Sequence, residues 1–127
     1  NLGKTYFMNF VSDQKEKLVY ITSNVEKLDA IYAPELKSEL VLQNRSTQRN
    51  IIVDLSTTKY IDSSGLSALL VGQRLCRDAN GTFVVCGLQE TVKKLISISQ
   101  LDSVFKITPT LNEAIDLVYM EELEREI

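Results

Sequence analysis

The sequence predicts an α/β layer fold, one sheet with helices packed against it, and three observations carry that expectation. Short β-branched runs alternate with stretches of helical period along the whole chain. The run Ile51-Ile52-Val53-Asp54-Leu55 is apolar almost without a break, which suits a strand covered on both faces, as in a parallel sheet. A helix from Ser64 to about Arg77 follows it, then a second buried run, Thr82-Phe83-Val84-Val85-Cys86. Such a strand–helix–strand passage is a crossover, and crossovers of this kind are almost always right-handed. With 127 residues the chain has room for one domain and one core.

Residues 1–9 carry no clear period and are assigned as an N-terminal extension or a first edge strand, with residues 10–127 as the domain. Met8 is a candidate native start, with residues 1–7 either an upstream extension or a remnant. Leu18-Val19-Tyr20-Ile21-Thr22 reads as a strand, being β-branched and aromatic. Ala33-Pro34-Glu35 reads as a helix start, because proline is tolerated at the first helical position and the helix dipole favours a glutamate there. Leu36 and Leu40 then share one face, leaving Glu35, Lys37 and Glu39 to water. The Ser64 helix turns Leu66, Leu69, Leu70 and Leu75 inward, and Asn80-Gly81 closes it, since either residue accepts the left-handed conformation.

Val92, Leu95 and Ile96 set the stripe of a short helix, and Val104-Phe105-Lys106-Ile107 forms a last strand ended by Pro109. Thr110-Leu111-Asn112-Glu113 is a capping box. It opens a terminal helix that carries Leu111, Ala114, Ile115, Val118 and Leu123 inward. The acidic tail from Glu121 to Glu126 is expected to be a solvated, fraying end, with a docking tail for a basic partner as the alternative.

Composition excludes several function classes. Apolar residues make up 44% and charged residues 24%, which suits a globular rather than a disordered chain. The net charge of −3 and a pI near 5.0 argue against a nucleic-acid binder, which usually shows a basic patch. No apolar run approaches the roughly 18 residues that span a bilayer, and no secretory leader opens the chain, so a cytoplasmic protein without membrane insertion is expected. The chain has no histidine, which removes the base of Ser-His-Asp and Cys-His sites and the usual zinc ligand. Cys76 and Cys86 stand ten apart without a C-x-x-C spacing and read as small buried apolar residues. Neither a metal site nor a catalytic residue is expected.

One segment stands out: Lys59-Tyr60-Ile61-Asp62-Ser63-Ser64-Gly65-Leu66 joins a buried strand to a helix. Ligands and reactive groups gather beyond the carboxyl ends of strands in open α/β sheets, where this loop must lie. Ser63 and Ser64 sit at a helix entrance, where unpaired N–H groups and a partial positive charge welcome a phosphate. Gly65 permits close approach of another backbone or a nucleotide, or serves only a tight turn. These residues also have structural readings: Ser64 as the N-cap, and Asp62 as a cap of the same turn.

Residues 50–70, NIIVDLSTTKYIDSSGLSALL, resemble the signature of the STAS domain family of anti-sigma factor antagonists, in which Asp-Ser-Ser/Thr-Gly-Leu opens a helix. The resemblance extends to Asn80–Gly87, to Val92-Lys93-Lys94-Leu95 and to Gln100-Leu101. Upstream it is looser: Asp29 is kept, but Asn24-Val25-Glu26-Lys27-Leu28-Asp29 departs from the usual Gly-Glu-Leu-Asp turn. The resemblance implies a single mixed, mostly parallel sheet of four to five strands with four helices packed on it. It also implies partner switching. Such an antagonist binds an anti-sigma factor that is a serine kinase and thereby frees a sigma factor for transcription. The kinase phosphorylates the serine after the aspartate, here Ser63, and a metal-dependent serine phosphatase resets the cycle. Asp62, Ser63, Ser64, Gly65, Leu66 and Asp29 would form the partner-binding surface. The apolar helix face of Leu66, Ala68, Leu69 and Val71 reads first as core, and any part of it left uncovered would join that surface. ATP and magnesium would belong to the kinase, so no cofactor is expected and the chain is not read as an enzyme.

Three rival readings compete with this one. A response-regulator receiver would use Asp54 but needs a second acidic cluster, where the early loop offers Glu26 alone. A serine enzyme with Lys59 as base lacks the G-x-S-x-G elbow. Within the same family, the chain could instead be a scaffold or transporter-accessory subunit without sigma-factor control.

Overall fold

The computed structural model describes residues 8–46 and 48–127. Among them the chain runs β1 (Phe10–Lys15), β2 (Leu18–Ser23), β3 (Lys27–Leu28), α1 (Ala33–Arg45), β4 (Ile51–Asp54), β5 (Tyr60–Ile61), α2 (Ser63–Asp78), β6 (Phe83–Cys86), α3 (Glu90–Ile98), β7 (Lys106–Thr108) and α4 (Leu111–Glu126). Five strands make one sheet in the order β1-β2-β4-β6-β7, with β1 antiparallel to β2 and every other pairing parallel. The expected mixed, mostly parallel sheet with four helices is the fold found. β3 and β5 pair separately, parallel to each other, Lys27 with Tyr60 and Leu28 with Ile61.

Helices cover both sheet faces, which explains the unbroken apolar runs of β4 and β6. Val19, Ile21, Ile51, Val53 and Val85 point into the larger core beneath α1, α2 and α3. Leu18, Ile52, Val84 and Cys86 point the other way and meet Ala114 and Val118 of α4. Pro34 lies in the first turn of α1. At the far end of α2, Asn80 takes a φ of 61° and the Gly81 N–H returns to the Cys76 carbonyl at 2.7 Å, closing the helix as expected.

Several expectations are corrected. An edge strand not read from the sequence lies at Phe10–Lys15, hidden by its polar run Ser-Asp-Gln-Lys. Residues 1–7, part of the segment assigned as an extension or first edge strand, lie outside the described residues. The strand is held by α1, since Ser12 Oγ donates to Glu39 Oε1 at 2.8 Å. The last strand is Lys106–Thr108, not 104–107: Val104 is exposed in a turn, while Phe105 is buried with its ring 6.2 Å from that of Phe83. Leu123 faces outward, 62% exposed, and Glu122 takes the inward position. The acidic tail is therefore no fraying end. Thr110 does cap α4, its Oγ1 accepting from the Glu113 N–H at 3.2 Å.

Candidate functional site

The site is the entrance of α2. Asp62 adopts extended geometry (φ −111°, ψ −172°), and its Oδ1 accepts from the backbone N–H groups of Ser64 at 2.9 Å and Gly65 at 3.0 Å. Asp62 is thus the N-cap, and the Ser64 cap is corrected: α2 begins one residue earlier than expected, at Ser63. Its first two residues are then serines, of which Ser63 is exposed and Ser64 half-buried. A cap of this kind is worth about 1 kcal/mol, and here it frees the Ser63 hydroxyl from any capping duty.

What fixes this entrance is the small β3–β5 pair. The Asp62 N–H donates to the Leu28 carbonyl at 3.3 Å, continuing the register in which Leu28 faces Ile61. Gly65 packs on the same carbonyl: a Cβ there would lie 2.2 Å from Leu28 O and 2.6 Å from Ile61 Cγ1. The glycine is needed for close approach to protein backbone.

The loop from β4 to β5 is pinned in turn. The buried Thr58 hydroxyl donates to the Val25 carbonyl at 2.8 Å and pairs with Ser23 Oγ at 2.9 Å. The Glu26 carbonyl accepts from the N–H groups of Lys59, at 2.7 Å, and Tyr60. Neither Thr58 nor Ser23 was singled out from the sequence. Their signal is faint, because a serine ending an apolar strand and a threonine in a loop both look solvent-directed.

The six residues expected at the site divide into two groups. Gly65 and Leu66 are buried and seat the helix. Ser63 presents its side chain to solvent, flanked by the half-buried Asp62 and Ser64. Asp29 joins them because it follows Leu28, and the β3–β5 register sets it alongside Asp62. Its Oδ1 accepts from the Ile31 N–H at 3.0 Å, shaping the turn that leads into α1. Ile31 and Tyr60, 76% and 43% exposed, stand on the two chain segments that carry Asp29 and Asp62. The helix face of Leu66, Ala68 and Leu69 is buried, as core packing expects, and Val71 is half-buried, so this face leaves little apolar surface for a partner.

The other candidate chemistry is accounted for locally. Asp54, the acceptor of the receiver reading, takes the Ser56 N–H at 2.9 Å and closes the turn after β4. Among the described residues, no three potential metal ligands group together, and no helix is long and apolar enough to cross a membrane. Cys76 and Cys86 are free and buried, and burial pushes both thiols up to about 12.

A mostly parallel five-stranded sheet, an isolated β3–β5 brace and a serine pair at a braced helix entrance define a STAS domain, and the sequence matches that family over residues 11–114. The chain belongs to the STAS domain family. It is 32% identical over 75 residues to BtrV of Bordetella bronchiseptica, whose name assigns it as an anti-sigma factor antagonist; that match covers 59% of this chain and 65%, under two thirds, of the relative. A Thermotoga maritima protein, named in its structure as an anti-sigma factor antagonist, superposes with a TM-score of 0.80 at 24% identity, over 87% of this chain and 94% of the other. The antagonist SpoIIAA of Bacillus superposes at 22% identity in both states: unphosphorylated, TM-score 0.74 over 87% and 96% of the two chains, and phosphorylated, 0.66 over 86% and 98%. The fold also occurs within the murine anion transporter Solute Carrier 26 family member A9, with 13% identity and a TM-score of 0.75 over 94% of this chain and 23% of that one. The fold by itself serves both settings.

Proposed function

We propose that this chain is a cytoplasmic anti-sigma factor antagonist, its domain spanning residues 10–127. It docks on an anti-sigma serine kinase through the α2 entrance and is released when Ser63 is phosphorylated. The observation that carries the reading is the exposed Ser63 hydroxyl at the first position of a helix capped by its neighbour, on a frame held by backbone contacts. The name of BtrV supports the same assignment. Asp62, Ser63, Ser64 and Asp29 form the contact surface, while Gly65 and Leu66 hold it in place.

The mechanism follows from charge. Phosphorylation adds about −1.5 to −2 charges and three acceptor oxygens beside Asp62. The helix dipole partly offsets that repulsion, so the fold survives. A partner that docks on a neutral serine then meets an unmatched, desolvated charge, a mismatch that costs several kcal/mol. ATP and magnesium are the kinase's, a metal-dependent serine phosphatase resets the cycle, and no catalysis is assigned to this chain.

The test pairs the protein with an anti-sigma serine kinase of its own organism and ATP-Mg. One phosphate is expected, on Ser63. Ser63→Ala stays bound and unmodified, and Ser63→Asp folds yet binds more weakly by about tenfold or more. A phosphate mapped to Ser64 overturns the acceptor assignment. If Ser63→Asp binds like the parent, the charge switch is wrong and the scaffold or transporter-accessory reading replaces it.

A further inference from the structure

The terminal helix is turned in an unexpected way. Glu122 is buried, while Met120 and Leu123 are 59% and 62% exposed. The rotation is fixed, because the Glu122 carboxylate is held by Arg49, Asn50 and Arg125 at 2.6–3.0 Å. The network that keeps the glutamate in keeps the leucine out.

At 100° per residue, Glu113, Asp116, Met120, Leu123 and Glu124 fall within an arc of about 100° on the solvent side of α4. All five are exposed. The helix segment 111–127 holds six acidic residues and one arginine, so it is more negative than the whole chain and the remainder is net positive. Three of those acids are neutralised within the fold: Glu121 by Lys106, Glu122 by Arg49 and Arg125, and Glu126 by Lys17. The other three, Glu113, Asp116 and Glu124, lie on the outward arc beside Met120 and Leu123. Along the flank of that arc runs a groove of about 270 Å³, bounded by Tyr119, Leu123 and Glu126 of α4 and by Glu16 and Lys17 of the β1–β2 turn.

We propose that the outward face of α4 is a second docking surface, fitted to a basic amphipathic segment of a partner protein. The partner's apolar side chains would cover Met120 and Leu123, and its lysines or arginines would meet Glu113, Asp116 and Glu124. Exposed apolar side chains ringed by charge of one sign, which no ion pair among the described residues offsets, select both features of a partner together, the acids setting register and association rate and the apolar pair the lifetime. A second copy of this chain fits poorly, because it would bring the same acids face to face. This surface lies on the opposite sheet face from α2, so it goes beyond the Ser63 switch and works whether or not Ser63 is modified.

The probe is a short synthetic helical peptide with leucine on one face and lysine on the other, titrated into the isotope-labelled protein and followed by amide NMR. Shifts are expected at residues 113–124 and at the Glu16–Lys17 turn. Met120→Ser with Leu123→Ser should keep the melting temperature and weaken binding by about tenfold or more, while Ser63→Asp should leave it unchanged. A matching leucine–glutamate peptide should not bind. Shifts confined to the α2 entrance, or equal affinity in the double variant, would overturn the proposal. So would concentration-dependent dimerisation of the protein alone that the double variant abolishes, or binding to anionic vesicles through the same residues.

Discussion

Arg49 and Glu122 lie side by side in a two-pronged pair, Nε to Oε1 at 3.0 Å and Nη2 to Oε2 at 2.8 Å. The pair ties the last helix to the residues that lead into β4. Buried Asn50 reinforces it, donating to Glu122 Oε1 at 2.6 Å and to the Lys17 carbonyl at 2.8 Å, and Arg125 adds a further donor to the carboxylate. One carboxylate thereby joins α4, the β1–β2 turn and the start of β4.

The first prediction concerns acid. Arg49 above all, with Asn50 and Arg125, pulls the Glu122 carboxyl from its usual 4.5 to about 2, although burial opposes the shift. A depressed folded pKa contributes stability that is present in full above the unfolded value. That contribution falls away as pH drops from about 5 toward 2. Glu122→Gln should cost about 2–4 kcal/mol at neutral pH, since it removes the direct ion-pair partner of both Arg49 and Arg125. Chemical denaturation at stepped pH should also show a flatter acid limb in the variant than in the parent.

Capping gives a sharper contrast. Asp62→Ala should lower stability by about 1 kcal/mol, a few degrees in melting temperature, because two N–H groups lose their acceptor. Ser64→Ala should stay within about 0.5 kcal/mol of the parent. Equal losses in the two variants would show that Asp62 is not the cap.

Gly65→Ala tests the brace. The new methyl would meet the Leu28 carbonyl, backbone that cannot swing aside, so a loss of about 1–3 kcal/mol is expected. Amide exchange should quicken at Leu28 and Asp62 in that variant.

The cysteines should be silent. Burial and thiols raised to about 12 leave almost no thiolate at neutral pH. A thiol reagent should label neither Cys76 nor Cys86 in the native protein and both after denaturation.

Where sequence and structure agree, a local signal was strong enough to stand alone. The apolar runs at 51–55 and 82–86, the proline of α1, the Asn-Gly stop and the Thr-x-x-Glu cap each have a physical cause within a few residues. The candidate site was legible for the same reason, as an acid, two serines and a glycine at the mouth of an apolar helix. The failures share a cause too. β3 and β5 are two residues each and exist only because they find one another. Ser12 and Glu39 look like surface residues until β1 lies against α1. Leu123 and Glu122 are reversed because Arg49 and Asn50, more than seventy positions upstream, make burial of a carboxylate favourable.

The β3–β5 brace has a kinetic corollary. The backbone on either side of Ser63 is anchored before any group is attached to its hydroxyl, by the Leu28 carbonyl on one side and the Asp62 carboxylate on the other. Adding or removing such a group need not wait for a segment to order or melt, steps that often take microseconds to milliseconds or longer. A mount of this kind keeps no history: the surface it offers at any instant reflects only what is bonded to the serine then. Under the proposed function, the response time would belong to the enzymes that add and remove the phosphate.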